Sequence, residues 1–543
     1  MPEKIVIYDT TLRDGTQGED VNFSYEDKIR VAKKLDELGV DYLEAGWPAS
    51  NPTDEQFFRE MQHYQLNRAR ITAFGSTQNP RTSPEKDTGL ATLRQCGADA
   101  LTIFGKTWEI HVHQALKTDL EHNLNMIRDS LAFLREHTPT LFFDAEHFFD
   151  GFKANKDYAL ACLRRAHEAG ADALVLCDTN GGTLTSELKD IVNCVAREIP
   201  GAQLGIHAHN DSELAVANSL AAVEAGMRHV QGTINGFGER CGNANLCSII
   251  PSLELKMGYT CLPEDRLQHL ASTSHFVSEV ANLQPFSRQP FVGNAAFAHK
   301  GGVHVSAVLK DSRTYEHIEP EKVGNKQRVL LSDLSGKSNI LFKARQYGIH
   351  LEKDDPFVLD ILNQIKELES KGYDFSVAEA SFELLLHRAM GRTRRNYTLL
   401  GFRAMDAKNK ENEEPFSEAT VMIQVGGDTE HTAATGKGPV NALDNALRKG
   451  LEKFYSTIKE MDLLDFKVRV LSPSSESPEG TASRVRVFIE CGDARTRWIT
   501  VGVSYNIIEA SWQALVDSVD YKLFKDERDR QAASTHQPSL ETD

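Results

Sequence analysis

CGADALTIFG at residues 96–105 and AGADALVLCD at residues 169–178 share the run GADAL, and this repetition decides how the first half of the chain is read. In each copy a glycine stands where an amphipathic segment stops. The apolar, β-prone run that follows reads as a strand buried on both faces. LGVDYLEAG (38–46) and AGMRHVQGT (225–233) repeat the joint. Working outward, eight such runs alternate with helical segments between Lys4 and about Gly258: KIVIYD, VDYLEAG, RITAFG, DALTIFG, TLFFDAE, DALVLCD, QLGIHAH and HVQGTIN. In the intervening SYEDKIRVAKKLDELG, Ile29, Ala32, Leu35 and Leu38 recur at helical spacing, with Ser24 suited to cap the start and Gly39 the end. Eight strand–helix units predict an α/β fold of the (β/α)8 TIM-barrel type over residues 1–280. A doubly wound open sheet would place a glycine-rich phosphate loop after the first strand, and none stands there.

The composition bounds the partners. The 543 residues are 40% hydrophobic and 26% charged, ordinary for a globular protein, and the formal net charge of -17 disfavours nucleic acid or an anionic membrane. The eight cysteines are scattered without a CxxC pair. The N-terminus shows no signal-peptide pattern, and no apolar run approaches the ~18 residues of a membrane span. A cytoplasmic protein is expected.

In a barrel of this kind active groups stand at the C-terminal ends of strands. There the sequence places Asp14, in YDTTLRDGTQGED (8–20), and Glu44, Glu146, Thr179, His207, His209 and Asn243. The two histidines of GIHAHND stand two apart on a strand, so both side chains face the same way. With Asp14 on the same rim they make a set suited to a divalent metal with open positions for substrate. Asn243, in GFGERCGNAN, offers an amide oxygen or a supporting contact, and Glu239 with Arg240 reads as a pair bracing the rim. The ends of strands three to five, with Phe74, Phe104 and Asp144, are the expected wall of the substrate pocket.

DTTLRDGTQG, GIHAHND, GFGERCGNAN and AFAHKGGVHVSAVLK together resemble the metal-dependent acyl-CoA condensing enzymes that include the 2-isopropylmalate, homocitrate and citramalate synthases. The likeness runs through nearly the whole chain. It implies Asp14, His207 and His209 as ligands of Mn, Mg, Zn or Co, with Asn243 a weaker fourth. It also implies acetyl-CoA as co-substrate and a 2-oxo acid as acceptor. Arg13 would meet the keto oxygen and Thr179 the carboxylate. Glu146, His304 and Tyr315 match the family's catalytic glutamate, histidine and tyrosine. TQGEDVNFS and EAGWPASNPTDEQFF look most like the member that takes pyruvate; 2-oxoisovalerate is the alternative acceptor.

From about Cys261 the strand–helix beat breaks, and residues 281–410 read as a mainly helical connector carrying His304 and Tyr315. DPFVLDILNQIKELESKGYDF and VAEASFELLLHRAM are its two clearest helices, and AKNKENEEP marks its end. Beyond it SEATVMIQVGG and EHTAATGKGP precede one helix, and DFKVRVLS, SRVRVFIEC and RTRWITVGVS precede another. This duplication over 415–525 resembles the family's α+β regulatory and dimerisation domain, which implies a homodimer and an end-product effector, isoleucine for the pyruvate-using member. A dimerisation unit without ligand is the alternative. The polar residues 526–543 read as a disordered tail.

Overall fold

The computed structural model describes residues 2–330, 336–393, 396–408, 411, 414–471 and 483–535. It divides into two compact units: Met1–Phe297 with Glu316–Gln327, and Ala298–Tyr315 with Arg328–Asp543.

In the first unit the eight expected runs are β1 (Val6–Asp9), β2 (Tyr42–Gly46), β3 (Arg70–Ser76), β4 (Ala100–Lys106), β5 (Leu141–Glu146), β6 (Ala173–Asp178), β7 (Leu204–Ala208) and β8 (His229–Gly232). They form a closed parallel barrel in sequence order. The closing pair is β1 with β8, Val6 opposite His229 through Asp9 opposite Gly232. The helix–strand glycines Gly39, Gly97, Gly170 and Gly226 all have φ between 76° and 105°, where a Cβ would be strained, so the joint recurs as glycine. Helix Tyr25–Leu38 starts with Ser24 and Asp27 in a reciprocal capping box and ends at Gly39.

Alternate residues of each strand point into the barrel, and the filling changes character along the axis. Low in the barrel Tyr8, Ala100, Phe142 and Ala173 pack with Tyr42 in an apolar layer. Above it stand Glu44, Thr102, Asp144, His207 and Gln231, all buried and all polar. Tyr8 links the layers, its hydroxyl 2.8 Å from Glu44 Oε2 and 2.7 Å from Thr102 Oγ1. Polarity therefore rises toward the C-terminal rim.

The second unit carries short strands β9 (Ala298–His299) and β10 (Arg328–Val329), helices Gly302–Val308, Lys337–Gln346, Pro356–Ser370 and Glu379–Ala389, and two three-stranded antiparallel sheets. One sheet is β11 (Thr398–Ala407), β12 (Phe416–Val425) and β13 (Asp428–Gly436), followed by helix Pro439–Leu451. The other is β14 (Asp462–Leu471), β15 (Arg484–Gly492) and β16 (Arg497–Ser504), followed by helix Ile507–Thr535.

Three expected boundaries shift. The connector drawn at 281–410 is not a body of its own. Phe291, Val292, Phe297 and Val323 bury in the core around the barrel, while Ile340, Val358 and Phe382 pack with Val501 and Val503 of β16. β11 pairs with β12 from Thr398 onward, so the first sheet begins inside the segment assigned to the connector; the run AKNKENEEP lies partly outside the described residues. Helix Ile507–Thr535 also continues ten residues into the expected tail. Two of its charges there are paired rather than merely solvated: Asp526 meets Lys522, and Arg528 meets Glu383 at 2.9 Å. Positions 536–543 of that tail lie outside the described residues.

Candidate active site and metal centre

Asp14 begins the turn after β1 and lies at the barrel mouth with the two histidines of β7. His207 Nε2 is 3.1 Å and His209 Nε2 3.7 Å from Asp14 Oδ2, and the two imidazole nitrogens are 3.3 Å apart. All three residues are buried. Burial alone would push the Asp14 carboxyl up. The Arg13 guanidinium and His207 outweigh it and hold the group well below the usual carboxylate range. Burial opposes charge on His207, yet the bond to Asp14 raises its basicity. His209, buried beside His207, is lowered to about 4. A carboxylate oxygen and two imidazole nitrogens converging away from bulk water are the donor set of a divalent cation, and among the described residues this is the one His, Cys, Asp or Glu cluster compact enough to hold one.

Asn243 joins the cluster through its amide nitrogen, which donates to Asp14 Oδ2 at 2.8 Å. Its carbonyl oxygen is buried and meets no hydrogen-bond donor. In this arrangement Asn243 supports the carboxylate, and it becomes a ligand only with its amide turned over. Arg13 is fixed twice, by Nε to Glu44 Oε1 at 2.6 Å and by Nη1 to Asp14 Oδ1 at 2.9 Å. Its guanidinium carbon stands 3.8 Å from the centre of the Phe74 ring. Phe74 stacks on Phe104, and Trp47 meets both edge-on, giving an aromatic wall beside Arg13. Asp144 does not belong to that wall, because its carboxylate is bonded to Gln231 inside the barrel.

Across the rim, Glu146 at the end of β5 is ion-paired with Lys106 at the end of β4. Thr179 Oγ1 accepts the backbone N–H of His147 at 2.9 Å, leaving its hydroxyl proton to donate elsewhere. Arg240 does brace the rim, but its strong partner is Asp211, at 2.7 and 2.9 Å, and it also donates to the Thr179 carbonyl. Glu239 stands farther off, at 3.5 Å. His304 and Tyr315 belong to the second unit, where their rings stack at 4.1 Å with 24° between planes, both exposed. Lys106, Trp47 and Gln231 were missed from the sequence. Gln231 alone had a readable signal, being the register partner of His207 on the neighbouring strand.

Residues 4–277 match the HMGL-like family, residues 291–373 the homocitrate synthase post-HMGL domain-like family, and residues 376–523 the LeuA allosteric (dimerisation) domain. Over 96% of its length the chain is 59% identical to an (R)-citramalate synthase of Geobacter sulfurreducens, covering 98% of that protein. It is 51% identical to the (R)-citramalate synthase of Aquifex aeolicus, over 97% of this chain and 99% of that one. A 2-isopropylmalate synthase of Methanocaldococcus jannaschii matches at 30%, over 97% and 96% of the two chains.

Proposed function

The chain belongs to the (R)-citramalate synthase family of HMGL-like enzymes, and from that premise we propose how its residues act. The reaction joins acetyl-CoA to pyruvate and water and gives (R)-citramalate and CoA. The observation that carries the assignment is the convergence of Asp14, His207 and His209 beside a doubly anchored Arg13.

Asp14, His207 and His209 hold a divalent cation, Mn, Mg, Co or Zn, with Asn243 beside them. Bound there, it supplies a Lewis acid for the keto group and a template for the 2-oxo acid. Because Nε and Nη1 of Arg13 are committed to Glu44 and Asp14, its Nη2 is left to donate to the keto oxygen as negative charge grows on it. The Thr179 hydroxyl donates to the substrate carboxylate. Phe74, Phe104 and Trp47 line the side that receives the methyl group of pyruvate. His304, stacked on Tyr315, takes the proton from the acetyl methyl of acetyl-CoA.

Isoleucine is the effector we assign to the C-terminal sheets, supported by the match to an allosteric dimerisation domain. Phe466, Val468 and Val470 of β14, register partners of Ile489, Val487 and Val485, form one exposed apolar face, which we assign to contact with a second copy of the chain. All eight cysteines are free thiols, in keeping with a reducing cytoplasm. No helix among the described residues is long and apolar enough to cross a membrane.

Thiol release from acetyl-CoA, measured with a panel of 2-oxo acids before and after chelation, tests the assignment. We expect a higher kcat/KM for pyruvate than for 2-oxoisovalerate, loss of turnover on chelation and recovery with added divalent metal. Preference for the branched acid would move the chain to the 2-isopropylmalate reaction.

A further inference from the structure

We propose that Gln231, itself held by Asp144, is a positioning residue that fixes the tautomer of His207 and so aims its Nε2 at the metal. The inference rests on the metal-site reading above.

His207 and Gln231 are register partners on β7 and β8. Gln231 Oε1 lies 2.8 Å from His207 Nδ1, and Gln231 Nε2 donates to Asp144 Oδ1 at 3.1 Å, with His229 Nε2 3.5 Å from the same amide nitrogen. The amide is thus oriented from below, its NH2 end toward Asp144 and His229 and its carbonyl end toward His207. A carbonyl only accepts, so Nδ1 of His207 carries the ring proton. In the neutral ring that takes a cation, the proton-free nitrogen is then Nε2, the atom that faces Asp14 and His209. A histidine with the other tautomer would turn an N–H toward the cation. Asp144, His207 and Gln231 are 4%, 5% and 0% exposed, so bulk water is not available to replace a lost acceptor. Groups that orient a ligating histidine through its second nitrogen commonly change metal affinity 10- to 100-fold when removed.

The test is Mn2+ binding to the metal-stripped full-length chain, followed by titration calorimetry, with thermal unfolding as a control for folding. Gln231→Met keeps the length of the side chain and removes both hydrogen bonds; we expect Mn2+ affinity to fall by about 10- to 100-fold. The double variant Gln231→Glu with Asp144→Asn reverses the polarity of the lower bond and keeps the total charge. The introduced asparagine would donate to the introduced glutamate, whose other oxygen would accept from His207 Nδ1. Affinity should then return to within about threefold of the parent, a recovery that simple space-filling would not produce. Undiminished affinity in Gln231→Met overturns the proposal, as does a well-folded double variant that binds as weakly as the single one. If Gln231→Met does not fold, the double variant decides alone. A parent chain that binds no Mn2+ would instead sink the metal-site reading itself.

Discussion

Arg13 is held in two directions at once, and that restraint makes it more than a local positive charge. Lysine at this position keeps the charge but cannot reach Glu44 and Asp14 together while also presenting a third N–H. We expect Arg13→Lys to lower kcat by about 10² to 10³, the usual cost of losing a donor to a developing oxyanion, with a much smaller change in KM for pyruvate; steady-state kinetics checks this. His207→Ala should lose bound metal and turnover together. Metal analysis of the purified variant alongside the thiol assay is the measurement, and normal turnover without metal would refute the ligand assignment. The two histidines and Asp14 were legible because HxH at a strand end puts both rings on one face of the rim that Asp14 shares, whereas the role of Arg13 rested on the family resemblance. Lys106 was not legible, since one lysine at the end of a β-run has no spacing to betray that Glu146 will lie beside it. Asp144 was expected in the pocket wall from its strand position, but its direction depends on Gln231 on another strand.

At the scale of elements, the barrel strands were readable because each is a short apolar run closed by a glycine joint. β11 was not, because its alternation is broken by a bulge between Leu399 and Gly401 and it runs into a highly charged stretch. The C-terminal helix was cut short for a related reason: lysines and aspartates read as solvated until their partners are known. Lys522 is nearly fully buried, 3.0 Å from Asp493 and 2.9 Å from Asp526, and Lys525 also pairs with Asp493. Burial would push the Asp493 carboxyl up, but Lys525, Lys522 and the N–H groups of Arg495 and Thr496 hold it well below the ordinary 3.8. A lowered carboxylate gives stability that is complete above its unfolded value and lost as pH falls through its folded one. Asp493→Asn should therefore destabilise the C-terminal sheets at pH 7, by about 3 kcal/mol on the scale of broken buried pairs. The gap from the parent should narrow only below about pH 4, as thermal melts across pH will show. On the exposed apolar face of edge strand β14, Phe466→Asp should shift the assembly toward monomer in sedimentation or light scattering; an unchanged dimer would place the contact elsewhere.

For the whole molecule, the first unit carries the metal cluster and Arg13, and the second carries His304 and Tyr315 together with the C-terminal sheets. If isoleucine is the effector, it acts only through a difference in its affinity for two states of the chain. Full-length protein at millimolar isoleucine should lose about 5- to 150-fold in apparent affinity or rate, the usual range of such coupling, and leucine should do less. Indifference to both amino acids would leave the C-terminal sheets a dimerisation unit. The closure of the barrel carries one more consequence, for the chain as it is made. β1 pairs with β8, and Asp14 finds its histidines only when β7 has formed. During synthesis Asp14 emerges about two hundred residues ahead of His207, an interval of about 10 to 40 s at ordinary elongation rates. Throughout it the first strand has an open edge on the side that β8 will occupy. The growing chain is therefore an inert, unsealed sheet on the ribosome, and its first metal can be gathered only as the last strands arrive.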